Sequence, residues 1–389
     1  MTTQHPFALL TVERELTDEQ RAIQSVTRKL VTDRIRPHIA KWFEDGDLPV
    51  RDLAQELGSI GLLGMHLDGY GCAGTDATSY GLACMELEAG DSGIRSLVSV
   101  QGSLAMFAIH EYGSEDQKKE WLPQMAAGKA IGCFGLTEAD YGSNPSGMLT
   151  NARRDGNDWV LNGSKMWITN GTVADVAIIW AQSDEGVRGF VVPTKTPGFS
   201  ANLIKHKLSL KASLTAELIF NDVRLPDSAR LPLATSLRAP LMCLAEARFG
   251  IIFGTVGAAR DSFESALAYA STREQFDGPI SQHQLTQGKF ANMATDLTTS
   301  YLLALHIGKL KDAGQVSTEQ ISMGKFNNAN TALEIARMCR SILGGAGITT
   351  EYPIFRHMVN LESVLTYEGT HEIHQLVLGQ ALTGISAFR

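Results

Sequence analysis

The sequence predicts an α+β protein, mostly α-helical, in which a small β region separates two helical regions. Apolar residues recur at helical spacing before about residue 127 and after about residue 241. The stretch between them consists of short β-type runs broken by turn residues. We therefore expect an N-terminal helical domain over residues 1–130, a middle β domain over 131–240 and a C-terminal helical bundle over 241–389.

The N-terminal region contains two S/T-x-x-Q sequences, at residues 17–20 and 114–117. This is the form of a capping box, in which two side chains satisfy free backbone N–H groups at the start of a helix. Residues 51–57 and 78–88 carry apolar residues at helical spacing. Residues 69–74 match the dinucleotide pattern G-x-G-x-x-G, but that pattern binds a nucleotide only between a parallel strand and a helix. We predict a connecting loop there.

The middle region is punctuated by turn signals. The sequence Asp-Gly-Asn-Asp at residues 155–158 predicts a β-hairpin, because glycine accepts a positive φ angle. Residues 177–180, 189–192 and 217–220 are predicted strands.

The C-terminal region is helical again. Met293, Leu297, Tyr301 and Leu305 recur every four residues and predict one apolar stripe along a helix. A third capping box at residues 317–320 predicts the start of the next helix.

The composition excludes several classes of protein. The net charge of −8 gives no basic footprint for nucleic acid. No run of eighteen apolar residues predicts a membrane span, and the N-terminus lacks the pattern of a signal peptide. Five scattered cysteines form no C-x-x-C pair, so we expect a reducing, cytoplasmic location.

Two further patterns favour structural roles. His371 and His374 are three residues apart, whereas the zincin pattern needs a spacing of four, so we expect no metal site. Cys133 lies in an apolar context without a paired base, which disfavours a thiol nucleophile.

Five segments together resemble the acyl-CoA dehydrogenases, and their order matches over nearly the whole chain. They lie at residues 134–143, 166–171, 273–276, 343–347 and 366–373. The resemblance implies a middle β-barrel or β-sandwich domain, a C-terminal four-helix bundle and assembly as a homotetramer. It also implies an acyl-CoA substrate, FAD as cofactor and an electron-transferring flavoprotein as electron acceptor.

The resemblance assigns the catalytic base to Glu368, between Tyr367 and Gly369. A thioester α-proton is weakly acidic, and a carboxylate shielded from water can remove it because burial raises the carboxyl pKa. Backbone N–H groups can stabilise the charge that develops on the thioester oxygen, and the resemblance assigns one such donor to Glu368. Taken alone, without the surrounding motif, Glu368 is better interpreted as a solvated glutamate in a turn.

Within the family, the chain most resembles the glutaryl-CoA dehydrogenases, through residues 91–101, 133–138, 367–374 and 383–388. This likeness implies that Arg95, Ser96 and Ser99 bind the free carboxylate of a dicarboxylic acyl chain, with Glu88 nearby. A guanidinium can hold a carboxylate by two parallel hydrogen bonds. The alternative is a structural arginine paired with Glu88 or Asp91.

The remaining assignments also follow from the resemblance. The acyl-CoA substrate is assigned Ser143, Arg248, Tyr367 and Gly369. Arg273 is expected to reach the pyrophosphate of FAD across a subunit boundary. The residues assigned to FAD are Phe134, Leu136, Thr137, Gly142, Ser143, Trp167, Ile168, Thr169, Arg273, Phe276, Gln284, Gly344, Gly345, Thr370, Glu372 and Phe388.

The sequence departs from the family pattern near both ligands. Residues 139–141 read Ala-Asp-Tyr, Asn144 replaces a common Asp, Asp277 replaces a common Gly, and Ile94 replaces a common Tyr. We expect FAD-dependent oxidation of glutaryl-CoA with decarboxylation to crotonyl-CoA. Oxidation without decarboxylation, another short mono- or dicarboxylic acyl-CoA, and a flavin- or CoA-binding scaffold without turnover are the alternatives.

Overall fold

The computed structural model describes residues 5–388, and it confirms the predicted order of helices, sheet and helices. The N-terminal helices are α1 Pro6–Leu9, α2 Asp18–Leu30, α3 Ile39–Asp45, α4 Val50–Ser59, α5 Ala77–Gly90, α6 Ser92–Ser99, α7 Phe107–Tyr112 and α8 Glu115–Ala126. A wider, π-helical stretch, Val100–Met106, joins α6 to α7.

The predicted capping boxes begin three helices. Thr17, Ser114 and Ser317 each accept a hydrogen bond from the backbone N–H three residues later, and each returning glutamine bond is present. The G-x-G-x-x-G sequence at residues 69–74 is a loop between α4 and α5, as predicted.

The middle region forms one seven-stranded sheet. Its strands are β1 Gly132–Gly135, β2 Asn151–Asp155, β3 Asp158–Thr169, β4 Val176–Ser183, β5 Gly186–Pro193, β6 Phe199–Leu203 and β7 Thr215–Pro226. The order is β1-β4-β2-β3-β7-β6, with β5 paired to the other side of β4. The predicted hairpin closes with Asp155 opposite Asp158.

The C-terminal region is built from long helices. They are α9 Arg238–Thr272, α10 Gln284–Asp312, α11 Thr318–Leu343, α12 Pro353–Thr366 and α13 His371–Thr383. The predicted stripe Met293, Leu297, Tyr301 and Leu305 is buried in the largest apolar cluster, which also includes α5 and α9 side chains. The bundle therefore packs directly on the N-terminal helices.

Helix α9 is apolar over most of its length. An eighteen-residue window of this helix has a mean hydropathy of 1.5, so one helix is long and apolar enough to cross a membrane. However, 78% of that window is buried inside the protein. Contacts with α5 and α11 account for its apolar surface, since a helix that is apolar all round is typical of a core.

Candidate active site

The turn between α12 and α13 holds Glu368 in a left-handed backbone conformation, with φ +52°. Such a conformation costs a non-glycine residue about 1 kcal/mol or more, so surrounding contacts must hold it. The following Gly369 has φ +93°, and a Cβ there would lie 2.8 Å from His374 Nε2. Thr370 then begins α13 by accepting a hydrogen bond from the Ile373 N–H at 3.3 Å.

Glu368 is half-buried, and one of its carboxylate oxygens is removed from water. Its Oε2 atom is buried and has no hydrogen-bond partner among the described residues. Burial raises the pKa of this carboxyl, and the positive charges of Arg95, Lys325 and Arg248 only partly oppose the shift. This is the environment that a carboxylate base needs.

Arg95 and Glu88 form a buried ion pair close to this turn. Arg95 is 1% exposed, and its Nε donates to Glu88 Oε2 at 2.7 Å. Arg95 Nη2 donates to the hydroxyl of Tyr367, the residue before Glu368. Gly254 of α9 makes room for the pair, because a Cβ at this position would meet Glu88 Oε2 at 2.0 Å.

Asp91, the other partner considered for Arg95, is engaged elsewhere. It accepts hydrogen bonds from Arg356 Nε at 3.2 Å and from Asn360 Nδ2 at 2.9 Å. Glu88 is therefore the ion-pair partner of Arg95. The Arg95 Nη1 atom makes no hydrogen bond to any residue that the structure describes.

Two serine hydroxyls lie on the same helix as Arg95. Ser96 Oγ and Ser99 Oγ are buried and have no hydrogen-bond partner within residues 5–388. A buried hydroxyl without a partner costs about 1–3 kcal/mol, so a polar ligand group at these atoms would offset that cost. Arg95, Ser96 and Ser99 thus present unused polar atoms from one helix, and their binding of a substrate carboxylate stays a prediction.

A second buried ion pair shapes the loop after β1. Lys165 Nζ donates to Glu138 Oε1 at 2.8 Å and to the Leu136 carbonyl at 2.9 Å. Glu138 also accepts from the backbone N–H groups of Leu149 and Thr150, at 2.6 and 2.9 Å. Glu138 therefore ties the two ends of the loop to each other, and Lys165 ties the first of them to β3.

This loop brings Thr137 beside Trp167. The Thr137 carbonyl accepts a hydrogen bond at 2.8 Å from the N–H of Met166, the residue before Trp167. The register of β3 shifts at this point, and Trp167 takes φ +65°. Trp167 is 59% exposed, while Ile168 beside it is buried. The bulge therefore turns a large aromatic surface outward.

The other predicted cofactor residues have contrasting environments. Phe134 and Leu136 are buried, Thr169 is half-buried, and Gly142 and Ser143 are exposed on the loop after β1. Arg273, Phe276 and Gln284 are exposed at the α9–α10 connection, and Phe276 is 89% exposed. The remaining exposed residues are Gly344 and Gly345 after α11, Glu372 in the first turn of α13, and Phe388.

Comparison with known proteins identifies the family. Sequence models of three acyl-CoA dehydrogenase domains match the chain, the N-terminal domain over residues 17–129, the middle domain over 133–223 and the C-terminal domain over 237–383. The chain belongs to the acyl-CoA dehydrogenase family. This acyl-CoA dehydrogenase is accordingly an oxidoreductase that acts on a CH–CH group.

Individual members of the family also resemble this chain over nearly its whole length. The mitochondrial short-chain specific acyl-CoA dehydrogenase of Homo sapiens is 33% identical and aligns over 94% of this chain and 90% of its own. A crystal structure of glutaryl-CoA dehydrogenase from Mycobacterium smegmatis is 64% identical, covers 100% of both chains and superposes with a TM-score of 0.99. A second glutaryl-CoA dehydrogenase structure from Mycobacterium smegmatis, in complex with FADH2, is 62% identical with a TM-score of 0.98 and the same full coverage.

The residues of this acyl-CoA dehydrogenase fit a flavin. Trp167 offers an exposed aromatic plane, and the Glu138–Lys165 pair fixes the neighbouring peptide groups of the β1 loop. The exposed guanidinium of Arg273 suits a phosphate group. The individual contacts of these residues with the cofactor stay predictions.

The sequence did not single out Lys325, Glu138's partner Lys165, or the burial of His374. Lys325 is 1% exposed and donates to the carbonyl groups of Tyr367 and Gly369. Arg248, which the family resemblance assigned to the acyl-CoA substrate, donates from Nε to the Glu368 carbonyl at 2.9 Å. The sequence held no signal for Lys325, because its distinguishing feature is burial within a helix, which one sequence does not show.

The raised pKa of Glu368 predicts the pH dependence of this acyl-CoA dehydrogenase. Glu368 must be ionised to accept a proton, whereas burial favours its protonated form. Flavin reduction by a saturating acyl-CoA is therefore expected to slow as the pH falls through a pKa above the ordinary value of 4.5. Stopped-flow absorbance between pH 5 and pH 9 measures this profile, and a rate that stays constant down to pH 5 would contradict it.

Proposed function

We propose that this enzyme oxidises glutaryl-CoA between its α and β carbons and then releases CO2 to give crotonyl-CoA. The cofactor is FAD, which accepts hydride from the β carbon when it is bound. The observation that carries the acyl specificity is the buried Arg95, held by Glu88 and Tyr367 beside the turn that bears Glu368. A glutarate-like acyl chain places a free carboxylate at the far end from the thioester, where a buried cation is useful.

Glu368 is proposed as the base that removes the α-proton. Its Oε2 atom is buried and has no hydrogen-bond partner among the described residues, and burial raises the pKa of the carboxyl. These properties favour transfer of a proton from a weak carbon acid, because the product, a neutral carboxylic acid, is stabilised by the same burial.

Arg95, Ser96 and Ser99 are proposed to bind the distal carboxylate of the substrate. The Arg95 Nη1 atom and the two hydroxyls are free of protein hydrogen bonds among the described residues. The carboxylate would satisfy buried donors that are otherwise unpaired, which favours a dicarboxylic over a monocarboxylic chain.

Decarboxylation is consistent with the pairing of Arg95. After oxidation, the bond between the γ carbon and the carboxylate breaks, and its electron pair is delocalised towards the thioester oxygen. Glu368 returns its proton to the γ carbon, which gives crotonyl-CoA, and the carboxylate leaves as neutral CO2. Arg95 is not left as an unpaired buried charge, because Glu88 remains at 2.7 Å.

Product analysis tests this proposal. Purified enzyme is mixed with glutaryl-CoA and an artificial electron acceptor, and the acyl-CoA products and CO2 are measured by mass spectrometry. Crotonyl-CoA with one CO2 per turnover is the expected result. Glutaconyl-CoA alone would identify a non-decarboxylating dehydrogenase. If the enzyme binds FAD but does not oxidise glutaryl-CoA, its substrate is another short-chain acyl-CoA.

The likeness to the family also supports an electron-transferring flavoprotein as acceptor and a homotetramer as the assembled form. The exposed Arg273, Phe276 and Gln284 agree with a cofactor contact across a subunit boundary. A cytoplasmic location remains a prediction from the scattered cysteines and the composition.

A further inference from the structure

Three consecutive carbonyl groups in the active-site turn are held by the buried Lys325 and the half-buried Arg248. Lys325 of α11 donates to the carbonyls of Tyr367 and Gly369. Arg248 of α9 donates to the carbonyl between them, that of Glu368, at 2.9 Å. The turn that carries the proposed base is therefore fixed by its backbone and not only by its side chains.

We propose that Lys325 is a positioning residue that orients the Glu368 backbone N–H towards the thioester oxygen of the substrate. The reason lies in the peptide plane that Tyr367 and Glu368 share. In a trans peptide the C=O and N–H groups point in opposite directions. Because Lys325 holds the Tyr367 carbonyl, the Glu368 N–H must point away from Lys325.

Apart from the Lys325 bond to the Tyr367 carbonyl, no hydrogen bond to a described residue fixes the direction of the Glu368 N–H. The Glu368 N–H makes no hydrogen bond to any residue within 5–388, whereas the preceding Tyr367 N–H donates to the Ser363 carbonyl at 2.9 Å. Glu368 also has φ +52°, a conformation that needs outside support. A flip of this peptide would turn a carbonyl, instead of a donor, towards the substrate.

The helix that carries Lys325 is held firmly in place. One turn further along α11, Asn328 Nδ2 donates to the Ile252 carbonyl at 2.9 Å and to the Ser300 carbonyl at 3.0 Å. These bonds fix α11 against α9 and α10. The Lys325 side chain is almost fully buried, and burial lowers its pKa to about 7. Its role does not require a charge, since a neutral amine still has two N–H groups for two carbonyls.

This inference rests on the proposed role of Glu368 but not on the identity of the acyl chain. The test therefore uses whichever of glutaryl-CoA or butyryl-CoA reduces the flavin of the unmodified enzyme faster. Lys325→Met removes the donors with little change in length, and Lys325→Gln keeps an uncharged donor. Lys309→Met is the matched control, because Lys309 is an exposed lysine of α10 paired with Glu15.

The measurements are the visible spectrum of bound FAD, the thermal midpoint, and the rate of flavin reduction in anaerobic stopped flow. Loss of an oxyanion donor costs about 10²–10³-fold in rate, so Lys325→Met is expected to reduce its flavin about 10²-fold more slowly. The dissociation constant of the substrate should change less than about threefold, because the donor acts mainly on the developing charge. Lys309→Met is expected to match the unmodified enzyme.

A second ligand separates positioning from structural support. Acetoacetyl-CoA has an acidic α carbon and binds as an analogue of the enolate, so its affinity reports the donor without turnover. It is expected to bind Lys325→Met about 10²-fold more weakly than the unmodified enzyme, and Lys325→Gln about tenfold more weakly. A merely structural lysine would lower the thermal midpoint and leave this affinity unchanged.

Each outcome decides the inference. Normal flavin reduction and normal acetoacetyl-CoA affinity in Lys325→Met would overturn it. If that variant fails to retain FAD, Lys325→Gln decides in its place, and wild-type behaviour there has the same meaning. Turnover by Glu368→Gln would instead show that Glu368 is not the base. Failure of the Lys325 inference is therefore distinguishable from failure of the proposed role of Glu368.

Discussion

Replacing Glu368 by glutamine is expected to abolish flavin reduction by acyl-CoA substrates while FAD remains bound. General-base catalysis contributes up to about 10⁴-fold, so we expect a loss of about that size. The amide has nearly the same shape as the carboxyl, and Oε2 makes no hydrogen bond to a described residue. The fold should therefore tolerate the change.

The measurement is single-turnover flavin bleaching under anaerobic conditions, together with the thermal midpoint. A carboxyl with a raised pKa makes unfolding more favourable as the pH rises, because the folded state then binds more protons than the unfolded state. Glu368→Gln should thus have a thermal midpoint at pH 8 equal to or above that of the unmodified enzyme. Glu362→Gln, at an exposed site on α12, is the matched control. Retained turnover in Glu368→Gln would show that another group is the base.

Local sequence patterns were sufficient for most of the fold. The three capping boxes begin α2, α8 and α11, because a capping box satisfies backbone donors within four residues. The hairpin at residues 155–158 is equally local. Apolar periodicity also identified the buried stripe of α10. Such features need no knowledge of distant parts of the chain.

Interactions between distant residues were less accessible. Lys325 contacts the turn 42 residues later, and Lys165 contacts Glu138 27 residues earlier. In the sequence each is an ordinary lysine in a helix or strand. Only the packing of α11 and β3 shows that these cations are buried and that their donors hold backbone carbonyls or a carboxylate.

The candidate site lies between these two cases. Family motifs selected Glu368 and Arg95, which the fold brings together through the hydrogen bond from Arg95 to Tyr367, over a separation of 272 residues. The sequence left two partners open for Arg95, and the structure selects Glu88 over Asp91. Most cofactor residues from Arg273 to Phe388 are exposed and Thr370 is half-buried, and their roles stay predictions that depend on a bound ligand and a neighbouring subunit.

Replacing Arg95 by methionine is expected to lower kcat/KM for glutaryl-CoA about 10²-fold more than kcat/KM for butyryl-CoA. Hydrogen bonds to charged groups contribute about 1.5–3 kcal/mol each, and only glutaryl-CoA has a carboxylate to lose them. Steady-state kinetics with both substrates measures the ratio. Arg337→Met, which changes an exposed arginine of α11, is the matched control.

The buried position of Arg95 requires a second variant. Arg95→Met leaves Glu88 buried without its cation, and breaking a buried pair costs about 3–5 kcal/mol, so both substrates could suffer through a distorted site. Arg95→Met combined with Glu88→Gln removes the unpaired charge as well. If Arg95 binds substrate, this double variant should recover normal activity towards butyryl-CoA and remain defective towards glutaryl-CoA. Equal losses for the two substrates in the double variant would limit Arg95 to structural support, because a distorted site does not distinguish a carboxylate from a methyl group at the end of the acyl chain.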